Sequence, residues 1–163
     1  MLTTIESLPD TARIWIFPAD RALSVKESES LLARVDEYLA GWKAHNVPVH
    51  AARDLRYSQF LIVAADPEVA APSGCSIDDL TRAIKALSAQ FAVDFFSPMR
   101  VFYRNGEKIE VADRPTFKAS ARMGKVDSET AVFDNSITTL AGLRAGLWEI
   151  PAGQSWHRTL VNV

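Results

Sequence analysis

The chain has a single cysteine, Cys75, among 163 residues. One thiol cannot build an internal disulfide framework and fits a reducing compartment, so a cytoplasmic location is expected. Long apolar runs are also missing. The longest, Phe60 to Ala65, falls far short of the roughly 20 residues a membrane span needs. The first residues carry Glu6 and Asp10 rather than a basic start and an apolar stretch, so no signal peptide is expected. Neither sign of charge dominates. A formal net charge of -2 gives no basic footprint for nucleic acid. The histidines are His45, His50 and His157, without HxxxH or CxxC spacing, so neither a metal nor another cofactor is expected. Phosphate-cradling glycine loops are absent too. Gly124-Lys125 is followed by Val126 and lacks the earlier glycine of a P-loop, and there is no GxGxxG or GxSxG. Nucleotide hydrolysis through a P-loop is excluded.

What remains is ordinary for a globular protein: 48% hydrophobic and 23% charged residues. A chain of this size buries roughly 70% of its unfolded surface and folds without staples. The expectation is one α+β domain over residues 1–163, with 1–12 as an irregular lead-in. Its sheet is mixed or mainly antiparallel, with two longer helices and short helices near the C-terminus.

The pattern along the chain supports this. Arg13 to Phe17 is apolar on both faces, which suggests a strand inside its sheet. Ser24 and Glu27 form a capping box ahead of a stripe of Leu31, Val35, Tyr38, Leu39 and Trp42. Two strands are read between Val47 and Ala65, with one long bent strand as the alternative. Asp66 to Cys75 reads as a loop, and Ser76 as the cap of a second helix with Ile77, Leu80, Ile84, Leu87 and Phe91 inward. Asn105-Gly106 is a hairpin signal. Asp113 and Pro115 open a short helix that Gly124 closes. A strand over Thr130 to Phe133, a short helix through Leu140 and Leu143, and a strand-like Trp148-Glu149-Ile150 complete the chain.

Chemistry is best sought at the junction from Ser73 to Asp78. A thiol beside a helix start can be activated by the partial positive charge there. With Ser76 as cap, however, Cys75 pairs with Leu80 as a hydrophobic staple, and this packing reading is preferred. Asp78 and Asp79 then fall in the first turn and oppose thiolate formation. Free N–H groups of Ser73, Gly74, Cys75 and Ser76 could bind an anion, which the same aspartates disfavour. His157 is the candidate base for Cys75. Arg21, Arg53 and Arg56 could grip a carboxylate. Trp148 and Trp156 could line a pocket or a partner surface.

The motifs WIFPADR, RYSQFLIV, SGCSIDD and WEIPAGQSWH together resemble a family of short, uncharacterised bacterial proteins whose members often carry the label of ABC transporter ATPases. The resemblance runs from Trp15 to His157. It implies motif positions at Trp15, Pro18, Arg21, Arg56, Tyr57, Ser73, Gly74, Cys75, Ser76, Asp78, Trp148, Pro151, Ser155, Trp156 and His157, and supplies no reaction. Neither a Walker loop nor an LSGGQ-like signature accompanies it here, so ATPase activity is not expected.

Two functions are weighed. The preferred one is a non-catalytic binding or interaction module with a small polar cleft at residues 73–78. Its ligand residues would be Ser73, Gly74, Ser76, Asp78, Arg21, Arg56, Tyr57 and Trp156. The alternative is a small-molecule enzyme with Cys75 as nucleophile and His157 as base. Enzyme status is left open, with the balance towards none. Partners are a small molecule or a protein, with a homodimer open and neither nucleic acid nor membrane expected.

Overall fold

Arg13–Pro18 forms the first strand, β1, in a computed structural model that describes residues 1–162. Backbone contacts gather the chain into two compact units. One is Met1–Phe96 with Thr138–Ala141, the other Ser97–Ile137 with the residues from Gly142 onward. The expected α+β fold, with mainly antiparallel strand pairing, two longer helices and short later ones, is what the chain adopts.

In the first unit, Val25–Ala40 is helix α1. Both bonds of its capping box are made. Ser24 Oγ accepts from the Glu27 N–H at 3.1 Å, and the Ser24 N–H donates to Glu27 Oε1 at 3.0 Å. The stripe of Leu31, Val35 and Leu39 is fully buried. Lys43–Ala44 (β2) and Val47–Pro48 (β3) make a short hairpin, turned by His45 and Asn46 with φ of 51° and 64°. Ala51–Arg56 (β4) and Phe60–Ala65 (β5) are two separate strands, so the bent-strand alternative falls away. Tyr57 and Ser58, at φ 55° and 53°, turn between them. Such backbone is unusual for non-glycine residues. It is held here by long-range bonds: Leu23 N–H to Ser58 O at 2.7 Å, Ala19 N–H to Gln59 O at 2.8 Å, and Gln59 Nε2 to Ala19 O at 3.0 Å.

The sheet order is β1-β5-β4, all antiparallel. Every residue of β5 is buried, because an apolar run with no polar face sits at the centre of the sheet. Leu61, Val63 and Ala65 share a core with the α1 stripe. β1 is not internal, contrary to expectation. It is an edge strand whose outer side is met by residues 138–140, with the Ile14 N–H donating to Thr138 O at 2.9 Å. Apolar faces report what covers a sheet, not what flanks a strand. The lead-in is likewise more ordered than expected: Leu2 bridges Ala51 in parallel, and Ile5–Ser7 is a 3-10 turn.

The second long helix, α2, spans Gly74–Phe91, and here the expected start is corrected. Ser73, not Ser76, is the N-cap. Ser76 occupies the third helical position, where its Oγ accepts the Ser73 N–H at 2.7 Å and the Ser76 N–H donates to Ser73 Oγ at 3.2 Å. A serine does the work of the usual glutamate because its short side chain still reaches the cap N–H. Asp78 and Asp79 consequently leave the first turn, which holds no acidic residue. Leu80, Ile84 and Leu87 face the core as expected.

In the second unit, Arg100–Asn105 (β6) and Lys108–Asp113 (β7) form the expected hairpin. Its turn lies one residue later than read, on Gly106-Glu107, because Asn105 pairs with Lys108. Only Gly106 has positive φ, at 63°, the pattern of a turn with glycine at its first central position. Arg114–Arg122 (α3) starts from an Asp113 cap that accepts the Thr116 N–H at 2.7 Å, and ends at Gly124, φ 72°. Ala131–Phe133 (β8) follows. Leu140–Arg144 (α4) covers the stretch where the chain passes from the first unit to the second. Glu149–Pro151 (β9) completes the sheet β7-β6-β8-β9, and Arg158–Val161 is a final short helix, α5. Val101, Phe117, Val126, Val132 and Ala152 form the core of this unit. Among the described residues, no helix is long and apolar enough to cross a membrane.

Candidate functional site

The start of α2 borders a cleft of about 560 Å³ lined by residues of the first unit. Ser73, Cys75, Ser76 and Asp79 come from α2 and its cap. Tyr38 comes from the last turn of α1, Gly41 caps that helix and Trp42 follows it, while Lys43, His45 and Asn46 come from the β2–β3 hairpin. Trp42 holds two of these walls together by donating its indole N–H to Ser76 O at 3.0 Å.

Cys75 is exposed and occupies the second helical position. The staple expectation is therefore wrong. Moving the cap to Ser73 turns Cys75 out from the position before the helix, where it would pack on Leu80, and into the helix's exposed first turn. Ser73 and Ser76 line the cleft, with Ser76 buried and closing the capping box. Gly74 is the first helical residue and is exposed. Asp78 is exposed and stands outside the cleft wall. Its neighbour Asp79 belongs to the wall and is paired with Arg82. The Tyr38 hydroxyl is buried without a hydrogen-bond partner. Burial, and then the charge of Asp79, pushes it up to about 12, so it remains a neutral phenol through the physiological range.

The remaining candidates lie elsewhere. Arg21 is engaged by Glu27 through two hydrogen bonds of 3.0 and 2.8 Å and also donates to Phe91 O. It supports the α1 capping box and thereby holds Glu27 down at about 2. Arg56 donates to Asp54 at 3.0 Å, and Arg53 grips Asp36 through Nε and a terminal nitrogen at 2.7 and 2.8 Å. Tyr57 is an exposed turn residue. None of Arg21, Arg56 and Tyr57 borders the cleft.

His157 belongs to the second unit, in which it is 1% exposed. Its Nδ1 lies 2.6 Å from Ser155 Oγ, and its ring stacks on Trp156 at 3.7 Å. Arg114 lies over the Trp156 ring at 4.7 Å. Burial pulls the imidazole down to about 4, against the opposing pull of Asp134. Trp148 is a core residue that donates to Asn135 Oδ1 at 2.9 Å.

Sequence reasoning placed Asp79 near Cys75 but missed Tyr38, Lys43, His45 and Asn46, which line the same cleft. The available signal was the short β2–β3 segment: a lysine, a histidine and an asparagine immediately after a helix end, ahead of Pro48. Among the described residues, no group of three or more His, Cys, Asp or Glu side chains comes together as a metal ligand set. No family model, curated protein or solved structure matches the chain.

Proposed function

We propose that the chain is a non-catalytic binding module whose ligand, a small polar molecule, occupies the cleft at the start of α2. One observation carries this reading: donors and acceptors from three separate elements converge on a concavity of about 560 Å³, a size typical of ligand sites. Lys43 and His45 supply cationic or donor groups, Asn46 an amide, Asp79 a carboxylate, and Tyr38 and Trp42 aromatic wall. Such a mixture suits a ligand that carries both an anionic and a hydrogen-bonding end.

Binding is favoured over catalysis because the base assigned to Cys75 has other partners. His157 is buried, kept neutral and engaged by Ser155 through Nδ1. In the same reading the protein is cytoplasmic, acts as one domain without a nucleic-acid partner, and belongs with the short bacterial proteins its motifs resemble. Its single free cysteine and net charge of -2 support the location and the partner class.

Cys75 makes the test direct, because it is the only thiol and lies in the cleft wall. Its alkylation rate is measured with amino acids, small carboxylic acids and phosphate esters at millimolar concentration. At least one class should slow labelling severalfold, and Lys43→Gln or His45→Gln should remove that protection. A panel in which no compound slows labelling, or protection that survives both variants, rules the cleft out as the site.

A further inference from the structure

The second unit has its own concavity, about 360 Å³, walled by Tyr103, Arg104, Asn105, Ser120, Lys125, Val126 and Thr130. Among the described residues, no carboxylate belongs to this wall. Every polar side chain in it can donate a hydrogen bond, and two are cationic. We propose that this is an oxyanion-binding pocket, which takes the phosphate or carboxylate group of a small molecule and has Lys125 as its principal cation. It is independent of the α2 cleft in residues and in unit.

The chain geometry places these donors deliberately. Gly124, in left-handed backbone, ends α3 in a Schellman arrangement: the Lys125 N–H bonds Ser120 O at 2.9 Å and the Gly124 N–H bonds Ala121 O at 3.0 Å. This fixes the base of Lys125 beside Ser120. It also consumes carbonyls at the helix end, whose partial negative charge would otherwise oppose an anion. The Ala119 carbonyl is likewise taken, by the Met123 N–H at 3.1 Å. Thr130 Oγ1 accepts the Asp127 N–H at 2.9 Å, so its own hydrogen is free to point at a ligand. Burial, with Glu110 adding, raises the Tyr103 phenol and keeps it a donor.

Three nearby acids have defined places. Glu149 accepts from Arg104 Nε at 2.8 Å, which orients the guanidinium and partly offsets its charge. The Asp127 carboxylate accepts the Glu129 N–H at 2.9 Å. Glu110 stands opposite Tyr103 in the β6–β7 ladder but outside the wall. Lys125 is exposed and, among the described residues, has no acidic partner, so its ammonium carries the attraction.

The probes are inorganic phosphate, glycerol phosphate and succinate, titrated into the full chain and followed by backbone amide NMR. Saturable shifts should appear around residues 103–105, 120 and 125–130 and weaken as sodium chloride is raised. Lys125→Gln should weaken binding at least about tenfold, the loss of one charge-assisted contact, whereas Lys118→Gln should bind like the parent. Ser120→Ala should weaken it by a smaller factor, and unchanged far-UV circular dichroism shows that each variant is folded. Tighter binding of the phosphates names a phosphorylated ligand, and tighter binding of succinate a carboxylate. Absence of saturable shifts with all three probes, or a Lys125→Gln variant that binds like the parent, overturns the proposal.

Discussion

Trp42 donates its indole N–H to the backbone carbonyl of Ser76 at 3.0 Å, and both residues are buried. The bond joins the residue just beyond α1 to the first turn of α2. Trp42 also meets Trp15 edge-on at 5.8 Å between ring centroids. One side chain thus ties the two long helices to the strand layer and sets the floor of the cleft beside Cys75.

Replacing Trp42 with Phe removes this donor and part of the indole. The expected cost is about 1–3 kcal/mol, from one lost hydrogen bond and a partly vacated site. Urea unfolding measures it. A Trp42→Phe variant as stable as the parent would mean the bond contributes nothing net.

The position of the α2 cap separates Ser73, Ser76 and Cys75. Ser73→Ala should destabilise by about 0.5–2 kcal/mol. Ser76→Ala should also destabilise, because it strips the Ser73 N–H of its acceptor. Cys75→Ser, at an exposed helical position, should lie within about 0.5 kcal/mol of the parent. Had Ser76 been the cap, Ser73→Ala would be silent and Cys75→Ser costly. Thermal melts of the three variants distinguish these patterns.

Stability should fall as the solution is acidified through the range in which His157 matters. Its folded pKa is about 4, below the ordinary 6.5 of an unfolded histidine. Above about pH 6.5 the ring is neutral in both states and contributes no pH dependence. Between about 6.5 and 4 the unfolded chain takes up a proton that the folded chain refuses, so unfolding is favoured by up to about 1.4 kcal/mol per pH unit. Urea titrations at pH 7.5, 6 and 5 should show the loss. His157→Gln should flatten that segment of the profile relative to the parent, whatever its effect on stability at neutral pH.

Two glycines should respond in opposite directions to alanine. Gly124 has φ 72°, so Gly124→Ala should cost about 1 kcal/mol through left-handed strain alone, since no atom crowds the new methyl. Gly74 starts a helix with ordinary φ and open space around it. Gly74→Ala should stabilise by about 0.5 kcal/mol by restricting the unfolded chain. Denaturant midpoints of the pair give the comparison.

Local sequence determined several features whose cause lies within a few residues. The Ser24–Glu27 capping box, the Leu31–Val35–Leu39 stripe, the Asp113 cap with Gly124 closing α3, and the buried identity of Phe60–Ala65 all follow from hydrogen bonds or periodicities spanning one or two turns. The α2 start was only partly legible. Serines at positions 73 and 76 are both good caps, and a three-residue shift decides whether Cys75 packs or projects. That choice rests in part on Trp42, thirty-four positions away, bonding the Ser76 carbonyl.

Tertiary structure alone decided the rest. The turn at Tyr57-Ser58 has no glycine to announce it and is held by bonds from Ala19 and Leu23. β1 became an edge because a return of the chain at residues 138–140, not a strand of the same sheet, met its outer side. The company Cys75 keeps from outside its own helix, Lys43 and His45 in particular, was set when α1 and the hairpin after it packed beside α2. Sequence specifies contacts along the chain. A site assembled from three elements depends on packing that no single stretch encodes.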